Sequence, residues 1–252
     1  MITFSQLQLD TWLAGLLLPF IRVLALFTSA PLLSMRNFPV RARVAAAAVI
    51  ALPVAPFAGV PPGLSLASAA GLGLVAQQVA IGLALGFAAR LLFAVFEIAG
   101  ELIGLQMGLS FGGFFNPQGG AGTAVGTWLN TVAMLLFIAL NGHLLLIDAL
   151  VATFQSLPIS ADPLSVLSRL RMDRLGADVF RLALSLALPA TLLMLFVNLV
   201  LGFASRVAPQ LSIFSVGFPI TLLAGLALLA LGAEHMMGPM IEAMRTFLDP
   251  LR

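Results

Sequence analysis

The sequence predicts an all-α, multi-helix integral membrane-type protein, and three observations carry that prediction. Of the 252 residues, 61% are hydrophobic and only 9% are charged, against about a quarter charged in soluble domains. The apolar residues fall in long runs, several near the roughly twenty residues that a helix needs to cross a bilayer. Those runs do not alternate polar with apolar, so they do not suit a closed barrel, the other structure that satisfies its own backbone in lipid. The chain is therefore read as a single helical domain over residues 1–252, with helical hairpins kinked at internal prolines.

Composition also excludes function classes. There is no cysteine, so disulfides and thiolate metal sites are ruled out. All twelve basic residues are arginine, and the net charge of +2 is too small and dispersed for nucleic acid. The two histidines, His143 and His235, stand in different runs without ligand spacing, so neither a metal nor a cofactor is expected. The first ten residues hold no basic region, and no cleaved signal peptide is expected.

The elements follow in order. Residues 13–33 form an apolar run interrupted by Pro19 and Arg22 and closed by Pro31. A polar turn with Arg36, Pro39, Arg41 and Arg43 leads to an alanine-rich run over 42–60, broken by Pro53 and Pro56. Nothing stops the helical pattern between Leu66 and Leu109, a stretch that reaches roughly 66 Å at about 1.5 Å per residue. Residues 110–126 are a flexible glycine and phenylalanine loop, and 128–154 are the next run. Residues 156–178 read as an amphipathic connector, in which Asp162 and Pro163 start a short interfacial helix or simply a solvated link. Two more runs occupy 179–203 and 213–231, and a polar-apolar tail follows, with Met236, Met237, Met240 and Met244 as an apolar packing stripe.

The stretch from Glu97 to Gly120 is the most informative. Glu97, Glu101, Gly104 and Gly108 share one broad helical face, and Gly100, Gly104 and Gly108 repeat the spacing that lets a second backbone approach closely. Such a face serves either a tightly packed bundle or a partner subunit or aqueous passage. Beyond it, Gly112, Gly113, Gly119 and Gly120 make hinges, while Phe111, Phe114 and Phe115 put large rings on the same segment. Those rings bury either in the protein's own core or in a constriction that opens and closes.

Counting charges gives no orientation: Arg36, Arg41, Arg43 and Arg206 fall on one side, and Arg169, Arg171, Arg174, Arg181, Arg245 and Arg252 on the other. Arg22, Arg90, Glu97, Glu101 and Asp148 lie within apolar stretches. At about 2.5–3.5 kcal/mol each, exposing them all to lipid costs on the order of 10 kcal/mol. Most must face protein or water, which favours an obligate multi-subunit assembly. Gly108-Leu109-Ser110-Phe111-Gly112 matches a nucleophile-elbow pattern, but a helix rather than a strand precedes it, and no catalytic residues are assigned.

Taken together, E-x-x-G-E and Q-M-G-L-S-F from Glu97 to Phe111, Asn116-Pro117, F-x-x-x-N-G-H from Phe137 to His143 and Leu157-Pro158 resemble the FliR family of flagellar export proteins. The resemblance continues through Leu188-Pro189, N-L-x-L-G from Asn198, S-R-x-A-P-Q from Ser205 and F-S-V-G-F-P from Phe214, and at the N-terminus through Arg22, Pro31 and Pro39 to Arg41. It covers essentially the whole chain in order.

The resemblance implies a non-enzymatic, channel-forming subunit of a type III export gate, embedded in a hetero-oligomer with FliP and FliQ and wrapped at its entrance by FlhB. It implies passage of unfolded exported flagellar proteins, contact with membrane lipid, and a place in the flagellar basal body at the bacterial inner membrane. It also implies that the loop plugs the channel, with the aromatic positions on Phe111 and Phe114. Phe115 and the glycines from Gly119 to Gly122 depart from relatives. Glu97, Gly100, Glu101, Gly104, Gly108 and Arg206 are then expected to make packing and polar contacts to neighbouring subunits. The alternatives are the homologous subunit of a virulence injectisome and an ion-coupled transporter using Arg90, Glu97 and Asp148 as a relay.

Overall fold

The computed structural model describes residues 6–31, 34, 38–59, 66, 68–109, 122–159, 172–208 and 216–248. Every regular element among them is helical. They are α1 (Gln6–Ser29), α2 (Val40–Val54) with a 3-10 turn at Ala55–Phe57, α3 (Ala69–Gln106), α4 (Ala124–Ala139) and α5 (Gly142–Ser156). Then come α6 (Met172–Val207), α7 (Phe218–Gly232) with a 3-10 turn at Ala233–His235, and α8 (Met237–Leu248). Five stretches are long and apolar enough to cross a membrane: Asp10–Ser29, Val40–Phe57, Ala69–Gln106, Leu175–Val207 and Phe218–His235. The broken pair α4 and α5 makes a sixth if counted as one span.

The chain divides into two compact units. One holds Met1–Leu91, Asn141–Leu175 and Thr246–Arg252, and the other holds Leu92–Leu140 and Gly176–Arg245. The 38-residue α3 contributes its first part to one and its second part to the other. Ser68 starts α3, its hydroxyl accepting the Gly71 N–H at 3.1 Å.

In the first unit, α1 and α3 meet backbone to backbone. A Cβ on Gly82 would collide with the Arg22 carbonyl, and one on Gly86 with the Ser29 side chain. Pro19 sits within α1 without ending it. Three turns of the short α2 bury small residues, Ala47, Ala51 and Val54, at helical spacing.

Arg22 is wholly buried in this unit. Its Nε donates to Gln78 Oε1 at 2.7 Å, one terminal nitrogen to Thr153 Oγ1 at 3.1 Å and the other to the Leu157 carbonyl at 3.0 Å. The guanidinium carbon stands 4.0 Å from the centre of the Phe154 ring. The arginine that interrupts the first apolar run thus ties α1 to α3 and to the end of α5. Gln78 in turn donates to Gln77 Oε1 at 3.1 Å, extending the buried polar cluster.

In the second unit, α4 buries Val125, Leu129, Ala133 and Phe137 along one stripe. Phe93 of α3 meets Phe137 edge-on, with ring centres 5.3 Å apart. From α6, Val179, Ala183, Ala187 and Met194 are buried.

Several boundaries differ from the sequence reading. The run over 128–154 breaks at Asn141, whose φ of 57° is left-handed; asparagine tolerates that conformation and Gly142 restarts the helix. Ala124 to Gly126, read as loop, are the first turn of α4. The tail forms α8; Met236 just before it and Met240 and Met244 within it are buried at four-residue spacing, while Met237 is 50% exposed and off the stripe. Of the connector read over 156–178, residues 160–171 lie outside the described residues, and 172–178 are not connector but the first two turns of α6, which starts at Met172 rather than 179.

Replacing Arg22 by alanine strips three acceptors of their buried donor, an expected loss of about 3 kcal/mol or more. Lysine, a point charge without the planar fork, recovers only part of it. In thermal denaturation of the detergent-solubilised protein we expect the apparent Tm to fall by about 10 °C for Arg22→Ala. An unchanged Tm would show that the cluster does not hold the unit together.

Candidate functional site

Phe111, Phe114, Phe115, Gly112, Gly113, Gly119 and Gly120 lie outside the described residues. What the structure describes is how the chain enters and leaves that segment, and both ends are built from α3.

The entry is a complete helix stop. Met107 N–H donates to the Ile103 carbonyl at 3.1 Å, Gly108 N–H to Leu105 at 3.1 Å, and Leu109 N–H to Gly104 at 3.0 Å. These bonds, with φ of 80° at Gly108, form the closing motif in which glycine takes the left-handed position after a helix. The carbonyls of Gln106 and Met107 are taken by other helices. Asn198 Nδ2 of α6 donates to the Gln106 carbonyl at 3.2 Å and lies 3.3 Å from its Oε1. Thr221 Oγ1 of α7 lies 3.3 Å from the Met107 carbonyl and 3.0 Å from that of Phe218, and its one hydrogen serves the pair.

The exit is an N-cap completed from another helix. Thr123 caps α4, its hydroxyl accepting the Gly126 N–H at 3.1 Å. In the usual reciprocal arrangement a glutamate at the third helical position accepts the cap residue's own N–H. Here that third position is Gly126, and Glu101 of α3 supplies the carboxylate instead, accepting the Thr123 N–H at 2.6 Å. A Cβ on Gly126 would collide with the Glu101 carboxylate, which is why glycine stands there. Close approach continues along α3: a Cβ on Gly100 would come within 2.5 Å of Gly126 Cα, and one on Gly104 within 2.6 Å of Thr123 Oγ1.

The predicted face therefore separates by role. Gly100, Glu101 and Gly104 turn toward α4 within the chain, Gly108 ends α3, and Glu97 is exposed. Arg206 is exposed in the last turn of α6, where its charge suits the helix dipole. Sequence reasoning did not single out Thr123 or Thr221, and Gly225 stood out only as a glycine inside an apolar run. Asn198 stood out as a polar residue in an apolar run, without a partner to assign to it. Among the described residues, no three His, Asp or Glu side chains converge on a metal-sized site.

The family model for bacterial export proteins, family 1, matches residues 13–247, from α1 to the last turn of α8. The chain belongs to that family. It is similar to the flagellar biosynthetic protein FliR of Pectobacterium carotovorum, 42% identical over all of this chain and 99% of the relative. It is also similar to FliR of Escherichia coli K12, 44% identical over 89% of this chain and 87% of the relative. FliR of Bacillus subtilis is 32% identical over 81% of this chain and 80% of the relative. Both ends of segment 110–121 thus fall inside the matched region of this export family.

The cap predicts a specific coupling. Gly126→Ala alone should destabilise the protein by about 1–3 kcal/mol through collision with the carboxylate. In a Glu101→Ala background most of that loss should vanish, a coupling of about 1 kcal/mol or more in a double-mutant cycle followed by thermal denaturation. Additive losses would mean that Glu101 does not occupy the space beside Gly126.

Proposed function

We propose that this chain is a structural, channel-forming subunit of the flagellar type III protein export gate, without catalytic activity. The observation that carries this reading is similarity to FliR along the whole chain, 42% identity over 100% of this sequence and 99% of the relative. The reading places the protein in the bacterial inner membrane at the flagellar basal body, assembled with FliP and FliQ and joined by FlhB. Unfolded flagellar proteins pass through the assembled channel.

In this mechanism Phe111 and Phe114, with Phe115 beside them, close the channel by apolar contact. Gly112, Gly113, Gly119 and Gly120 let the segment move, and an arriving substrate displaces the rings. The two anchored ends support the reading: a plug must be held at its roots if its tip is to return to the same place. Glu97, exposed on the predominantly apolar α3, docks on a neighbouring subunit in the assembly, as does Arg206.

Co-purification of the tagged protein from membranes, followed by native mass spectrometry, tests the assembly. One copy of this chain with several copies of small helical partners is expected. A stable monomer or homo-oligomer would overturn the proposal and return Arg90, Glu97 and Asp148 to a transporter relay. For the plug, Phe111→Ala combined with Phe114→Ala should raise ion and small-solute leakage in cells containing the assembled gate. Unchanged leakage would end the sealing role.

A further inference from the structure

α7 is an apolar helix of 15 residues, yet only Thr221 and Gly225 among its residues are buried. Both stand against the residue that follows α3, Met107. Thr221 bonds the Met107 carbonyl, and a Cβ on Gly225 would come within 2.5 Å of Met107 Cγ and Sδ. Thr221 and Gly225 are one turn apart on α7, so they form a single seat for a residue that is itself fully buried. On the preceding residue, Gln106, both the carbonyl and the side-chain oxygen face Asn198 of α6.

An ordinary helix end leaves its last carbonyls to water or to its own closing turn. The closing turn of α3 accounts for Ile103, Gly104 and Leu105, and the next two carbonyls are given to two different helices. The direction in which the chain leaves α3 is therefore set jointly by α3, α6 and α7.

We propose that Asn198 and Thr221 are positioning residues that fix the exit of the chain from α3 and so the starting point of segment 110–121. Through Met107, a displacement of α7 is carried to that exit. The consequence for leakage rests on the plug reading, whereas the positioning itself does not.

The absence of native cysteine allows a direct test in the assembly extracted from membranes. A single Leu109→Cys reports the exit of α3 through its rate of modification by a maleimide. With Asn198→Ala and Thr221→Val together, modification should accelerate by roughly tenfold, the change in local opening that the loss of about 1.4 kcal/mol of hydrogen bonding gives. Thr221→Ser, which keeps the hydroxyl, should react at the parent rate. Equal rates in the double variant and the parent, in assemblies of equal mass, would overturn the proposal.

If the double variant does not assemble, the near-isosteric Thr221→Val decides alone, with faster modification expected and an unchanged rate counting against the proposal. Leakage through Phe111→Ala with Phe114→Ala is read separately. Its failure would remove the plug while leaving the labelling result standing, so the two readings fail independently.

Discussion

The structure depends on how an apolar chain satisfies the ends of its helices. Each helix leaves terminal N–H and C=O groups without intrahelical partners, and in a chain that is 61% hydrophobic little polar material is at hand to meet them. Buried and half-buried polar side chains perform this task for helices other than their own. Arg22 of α1 takes the carbonyl of Leu157, the residue that closes α5. Glu101 of α3 takes the N–H that starts α4. Asn198 of α6 and Thr221 of α7 take the last carbonyls of α3. Capping across helices does two things at once: it removes an unsatisfied backbone group and fixes one helix against another. It also explains why Arg22 needs no carboxylate among these contacts, since the negative end of a helix and the face of Phe154 lie against it.

Such capping requires backbones to approach closely, which sets the glycine pattern. Side chains as short as threonine and glutamate reach another helix end only when the helices touch. At Gly82 and Gly86 this contact is with α1, and at Gly100 and Gly104 with the start of α4. Gly126 shows the logic most clearly, because the carboxylate that caps α4 fills the volume its own side chain would need. In a membrane-type protein, where apolar burial between helices gains little over lipid, close packing and interhelical hydrogen bonds are the available sources of specificity.

Much of the fold was legible because long helical runs are a strong signal: the uninterrupted pattern between Leu66 and Leu109 contains the observed Ala69–Gln106. The cost of exposing charge to lipid also indicated that Arg22 should face protein, as it does. The break at Asn141-Gly142 was not read, although Asn-Gly is a turn dipeptide, because the run over 128–154 was taken as continuous on its apolar residues. The site was only partly legible. The small-residue spacing marked Gly100 and Gly104 as contact positions, but Gly108 shared the same spacing and instead ends α3 through its positive φ. Pairings such as Glu101 with Thr123 or Asn198 with Gln106 span 22 and 92 residues, and no local pattern encodes which polar side chain finds which helix end.

The least buried of the candidate spans are Val40–Phe57, Leu175–Val207 and Phe218–His235. The apolar span Leu175–Val207 is 33 residues, about 50 Å against a hydrocarbon core of about 30 Å. Phe180, Phe196 and Phe203 along it are more than 60% exposed. Tilting shortens the mismatch, and lipid covers rings of this kind, but lipid does not cover exposed Arg90 and Glu97 within the apolar α3 at comparable cost. An overlong apolar surface together with exposed charge on a spanning helix is the surface of a subunit, finished by protein neighbours. The internal caps, by contrast, are complete within the chain. The protein therefore carries within its own chain the supports for both ends of segment 110–121, through Gln106 and Met107 on one side and Thr123 on the other.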